Sequence, residues 1–113
     1  MGARIVLTFA LVSLAGIGAG LAGPVTSAPD PIHGQELAQR LCSNCHLVSV
    51  TQEQVNVDVP TFNEIANMQD QTEGSIMAKI VIPKHPMPVI PITKPELKDL
   101  AAYIMSLREP VAE

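Results

Sequence analysis

Cys42-Ser43-Asn44-Cys45-His46 is the stretch on which the reading of this 113-residue chain turns. Its two cysteines are the only ones in the sequence, and a histidine directly follows the second. That arrangement is the one used for covalent c-type haem attachment. Each thiol must reach one vinyl group of a porphyrin, while the next residue must bring an imidazole under the iron from the same side. Two intervening residues allow that turn. A disulfide redox pair would want a βαβ context around the cysteines, and a zinc site would want two further ligands at paired spacing. Neither context occurs in the sequence. Cys42 and Cys45 are therefore read as thioether anchors and His46 as the proximal iron ligand.

Working outward, the proximal imidazole needs an acceptor at its other ring nitrogen, which fixes the tautomer and raises its basicity. Pro60, fourteen residues on, is the candidate through its carbonyl. The same proline also serves simply to end a valine-rich loop ahead of Thr61. For the sixth ligand the best candidate is Met87 in His85-Pro86-Met87-Pro88, 41 residues after His46. Met68, Met77 and Met105 are read as lying on helical stretches, where methionine is more often core filler than ligand. His85 is the rival, since an imidazole binds iron more strongly, but it neighbours Lys84 and reads equally as a solvated loop side chain. A distal position left open is the third possibility. His33, near the start of the first helix, reads as a surface residue.

Local signals around the motif predict helices joined by loops. Asp30 is a candidate N-cap with Pro31 in the first turn, and Leu37 and Leu41 share a face with Ala38 beside them, which gives a helix ending around Cys42. From Leu47 to Pro60, Val48, Val50, Val55, Val57 and Val59 alternate before a proline, which favours an extended loop. Thr61 and Glu64 form a capping box for a short helix carrying Phe62, Ile65 and Ala66. Thr72 is a candidate start for a third helix with Ile76, Met77 and Ile80 facing inward, stopped by Pro83. Five prolines, at 83, 86, 88, 91 and 95, make the next segment stiff and non-helical. Thr93 and Glu96 form another capping box, after which Leu97, Leu100, Ala101, Ile104 and Leu107 follow helical spacing.

The first 28 residues are of a different kind, holding 17 residues of the apolar set and a single charged side chain, Arg4. Ile5 to Ala22 contains no ionisable group and reads as a secretory signal peptide, with cleavage after Ala22 or Ser27. An uncleaved membrane anchor is the alternative, since about 20 apolar residues span a bilayer. Residues 1–28 are thus expected to be signal peptide and short leader, and 29–113 one small domain. Without Arg4, six Lys and Arg face eleven Asp and Glu, a formal charge of −5. Nucleic acid is an unsuitable partner for such a chain. The domain has no Trp and only Phe62 and Tyr103 as aromatics, so it is expected to need a cofactor to complete its core.

With the attachment motif at Cys42 to His46, Met87-Pro88 downstream and a final amphipathic helix, residues 31–107 resemble the small class I c-type cytochromes of bacteria. The resemblance implies an all-α fold of about four short helices around one covalently bound haem, the first and last helices crossing beside it. A glycine on the first helix allows close approach to an aromatic-bearing last helix in that family, and Gly34 and Tyr103 match those roles. The resemblance also implies Cys42, Cys45, His46 and Met87 in the haem roles above, and a carbonyl near Pro60 for the histidine. Such proteins often carry a Trp or an extra Tyr near the haem propionates. This chain has neither, and the first helix has Leu37 and Ala38 where an aromatic often follows the glycine.

An iron with both axial positions filled by protein has one-electron exchange as its available chemistry. The reading is a periplasmic electron carrier, not an enzyme, with the ring buried against Leu37, Leu41, Ile80, Leu97 and Ile104 and the potential raised by a thioether ligand. Partners are redox proteins that dock briefly. Ile76 to Pro95 contains Lys79, Lys84 and Lys94 without Asp or Glu, a candidate docking face that reads equally as ordinary solvated lysines. The competing readings are a peroxidase-like or gas-binding haem module with an open distal site, and a cytochrome subunit bound to a periplasmic dehydrogenase or oxidase. The domain is expected to be a monomer.

Overall fold

The structure is a computed structural model, and it describes residues 27–53 and 58–112, together with Gly2, Gly18 and Gly20. The expected signal peptide, the Ala22 cleavage position, Val55 and Val57 lie outside the described residues. Four helices follow one another, α1 (Pro31–Leu41), α2 (Phe62–Ala66), α3 (Glu73–Val81) and α4 (Lys94–Ser106), and there is no strand among the described residues. The fold is all-α, as the sequence predicts.

Each helix starts where a side chain is available to satisfy its orphan N–H groups. Asp30 Oδ1 accepts from the amides of Ile32 at 2.9 Å and His33 at 3.3 Å, with Pro31 in the first turn. Thr61 and Glu64 form a reciprocal capping box on α2, and Thr93 and Glu96 another on α4. On α3 the box is closed by Ser75 in the place of an acidic or amide side chain: Thr72 Oγ1 accepts from the Ser75 amide, and Ser75 Oγ accepts from the Thr72 amide, both at 3.1 Å. Ile82 caps the far end of α3 one residue before Pro83.

α4 is the centre of the packing, touching each of the other three helices and α1 most extensively. The two meet at Gly34, where a Cβ would overlap the backbone carbonyl of Asp99 and come within 2.8 Å of Tyr103 Cβ. Only a residue without a side chain permits that approach. The buried interior includes Ala38, Phe62, Ile76, Leu100 and Ile104 from the helices, with Val48 brought in from the loop after the cysteine motif. The expected alternation fails at the start of that loop: Val48 is buried and Val50, two residues on, is almost wholly exposed, because the chain turns at residues 50–51.

A second link between α1 and α4 is polar. Asp99 accepts from the Asp30 amide through Oδ1 and from His33 Nδ1 through Oδ2, both at 2.8 Å. Those bonds hold the Asp99 carboxyl below its ordinary value, the Asp30 amide contributing most, and the carboxylate raises His33 above its own. His33 is at the surface, as the sequence suggests, with its side chain 42% exposed, and it is partnered there by Asp99.

Candidate functional site

The cysteine motif forms a turn at the C-terminus of α1. The amide of Cys42 closes the helix on the Ala38 carbonyl, and the amides of Cys45 and His46 both return to the Cys42 carbonyl, at 3.2 and 2.9 Å. This doubling back brings Cys42 and His46 onto one side, where both line the same cavity. Cys45 is exposed and does not line it. Neither thiol is in a disulfide, and among the described residues no three His, Cys, Asp or Glu side chains gather as a metal site of their own. Burial pushes the Cys42 thiol up to about 11, with the neighbouring Cys45 adding to the shift, so it is protonated at neutral pH.

His46 is held in one orientation. Its Nδ1 lies 2.7 Å from the Pro60 carbonyl oxygen, and since a carbonyl can only accept, Nδ1 carries a proton, which in the neutral ring leaves the lone pair on Nε2. The Phe62 ring packs against the imidazole with centroids 5.4 Å apart, and the Phe62 amide donates to the Leu47 carbonyl at 2.9 Å, which ties the start of α2 to the residue after the histidine. The Pro60 carbonyl is thereby placed as a consequence of where α2 begins.

The cavity has a volume of about 170 Å³ and opens to solvent. Met87 lines it from the proline-rich loop, where the amide of Met87 closes a turn on the Lys84 carbonyl at 3.0 Å. Its walls are otherwise mainly apolar, with Phe62, Ile65, Ile76, Ile80, Leu100 and Ile104 as the principal contributors. An apolar lining that bears a thiol, an imidazole and a thioether fits a porphyrin and its iron in donor chemistry.

Of the five residues expected to face the ring, Ile80 and Ile104 line the cavity, while Leu37, Leu41 and Leu97 do not. Leu37 is fully buried away from it, Leu41 is half-buried, and Leu97 borders a separate groove with Ile92, Lys94 and Lys98. Helical periodicity identified an inward face but not which neighbour that face meets. Met68, expected on a helix, lies beyond the end of α2 and lines the cavity while remaining 45% exposed. The three lysines of the acid-free segment are also separated in role: Lys79 lines the cavity, Lys94 borders the second groove, and Lys84 is exposed on the loop.

Gln52 is a residue that motif spacing gave no reason to single out. Its Nε2 donates to the carbonyls of Ser43 at 2.8 Å and His46 at 3.0 Å, while its Oε1 accepts from the Val48 amide at 3.0 Å. One side chain thus fastens three points of the loop that carries the ligand. Tyr103 adds a fourth, its hydroxyl donating to the Val48 carbonyl at 2.5 Å. Burial raises the phenol above its ordinary value, which keeps it a donor.

Sequence comparison agrees with this chemistry. The chain is 38% identical over 81 residues to cytochrome c-552 of Bradyrhizobium diazoefficiens, covering 72% of this chain and 78% of that protein. No family model and no solved structure matches it. The chain belongs to the small class I c-type cytochromes, with one covalently attached haem c as its cofactor.

Proposed function

We propose that the protein is a periplasmic one-electron carrier in which Cys42 and Cys45 anchor the haem, His46 and Met87 ligate its iron, and the Pro60 carbonyl orients His46. The observation that carries this reading is the pairing of an imidazole with its Nε2 free and a loop methionine on one apolar cavity. Bound haem supplies reversible one-electron exchange at its iron. His46, donating from Nδ1 to Pro60, is kept as a basic nitrogen donor. Met87 offers a neutral thioether, which favours the reduced state, and the stiff loop around it resists the ligand's departure. Phe62, Ile65 and Ile80 exclude water, which raises the potential further.

Export follows from the N-terminal segment, and among the described residues no helix is long and apolar enough to cross a membrane. Redox partners of acidic surface are the chemistry suited to brief docking beside the lysine-bearing segment, around Lys79, Lys84 and Lys94, which carries no acid. The domain acts as a monomer that meets donor and acceptor in turn.

The test is the visible spectrum of the exported ferric protein, read for the weak far-red band of sulfur-ligated iron. The band is expected in the wild type and is lost in Met87→Ala. A spectrum without it, together with ready carbon monoxide binding by the ferrous form, overturns the carrier reading in favour of an open distal site.

A further inference from the structure

We propose that Lys79 is the cation that meets a carboxylate of the bound haem at the mouth of the cavity. The proposal rests on haem c as the occupant of that cavity. The porphyrin is apolar apart from its two propionates, and a carboxylate held against apolar surface is costly unless a cation or several donors meet it. Among the residues lining the cavity, Lys79 is the one that brings a full positive charge, and no Asp or Glu lines it. Lys79 sits on α3 between Ile76 and Ile80, both of which line the cavity, yet it is itself exposed. A lysine in that position lays its methylene stem along the apolar wall and keeps its ammonium at the rim.

The remaining cations of the domain are placed elsewhere. Arg108 donates to the Gln71 carbonyl at 3.1 Å, and Arg40 lies in the last turn of α1, where its charge acts on Glu96. Lys94 and Lys98 border the separate groove, and Lys84 is exposed on the loop. No Trp is available to donate, and the single Tyr is committed to Val48. The other titratable groups on the cavity are Cys42 and His46, both engaged by the haem, while Glu64 and Glu73 lie exposed in the first turns of α2 and α3. Lys79 thus has a task beyond the docking surface that it shares with Lys84 and Lys94. Its charge holds the propionate ionised and, by lying close to the haem, favours the reduced state.

The experiment is a pH titration of the midpoint potential of the haem-loaded protein, comparing wild type with Lys79→Gln, Lys79→Arg and Lys98→Gln. In Lys79→Gln the acid-range step in potential is expected to move up by about one pH unit, a tenfold change in proton affinity, and the neutral-pH potential to fall. Lys79→Arg should restore both, and Lys98→Gln should leave both as in the wild type. A Lys79→Gln protein with an intact far-red band and an unchanged potential and step overturns the pairing. Should that variant fail to take up haem, proton resonances of the propionate methylenes in the wild type decide the matter. One propionate titrating below the ordinary carboxylate range supports the pairing, and both titrating at the ordinary value overturns it. A wild-type protein with no haem spectrum overturns the cofactor assignment along with it, and is told apart by that spectrum alone.

Discussion

The α1–α4 contact and the loop from Cys42 to Gln52 lie side by side, but they are held in opposite ways. The helix contact is built from buried apolar surface and a backbone approach at Gly34, with the Asp99 carboxylate bridging to Asp30 and His33. The loop has little regular structure of its own and is fastened by individual hydrogen bonds, three of them to Gln52 and one from Tyr103. Packing of the first kind holds the whole domain together, so its loss unfolds everything. Bonds of the second kind hold one segment, so their loss frees the ligand-bearing turn while leaving the helices in place.

The difference is broken most severely at Gly34. In Gly34→Ala the new methyl meets the Asp99 backbone, which cannot turn aside as a side chain would. The expected loss is about 3 kcal/mol, measured by denaturant unfolding of the haem-loaded protein, with far-red band and helical signal lost together. A near-neutral change there would show that the two helices can separate at little cost.

Gln52→Ala sharpens the contrast from the other side. Removing its bonds to Ser43, His46 and Val48 is expected to cost about 2 kcal/mol. On heating, the far-red band should fade in this variant before the helical circular dichroism does, whereas in the wild type the two decline together. Coincident loss in the variant would mean that loop and helices form one cooperative unit.

The smallest effect is electrostatic and belongs to the helix contact. His33 is raised from its ordinary 6.5, so its contribution is full below that value and is lost as pH rises through the raised one. Asp99 is lowered from its ordinary 3.8, so its contribution is present above that value and is lost as pH falls through the lowered one. The pair therefore stabilises most between about pH 4 and 6.5. The stability difference between wild type and Asp99→Asn, followed across pH, should peak in that window and shrink on either side. A difference independent of pH would remove the pair from the account of the contact.

Much of this was legible locally. Asp30, Thr61 and Thr93 mark their helix starts because a cap is a short-range device, complete within four residues. The thiol pair and histidine are equally local, because attachment to one porphyrin face demands adjacency in the chain. What failed was partner assignment. Leu37, Leu41, Leu97, Ile80 and Ile104 all have the spacing of an inward face, but only Ile80 and Ile104 reach the cavity. Periodicity states that a residue turns inward and is silent on what lies opposite.

The sequence by itself determined the cofactor chemistry, the helical class and the helix ends, since each depends on residues within a few positions of one another. The tertiary structure alone decided that Gln52 fastens the ligand loop, that Asp99 ties His33 to the entry of α1, and that Lys79 rather than Lys84 or Lys94 lies on the cavity. Those pairings depend on which elements pack together, and the direction in which a side chain points acquires a meaning only once its neighbour from elsewhere in the chain is in place.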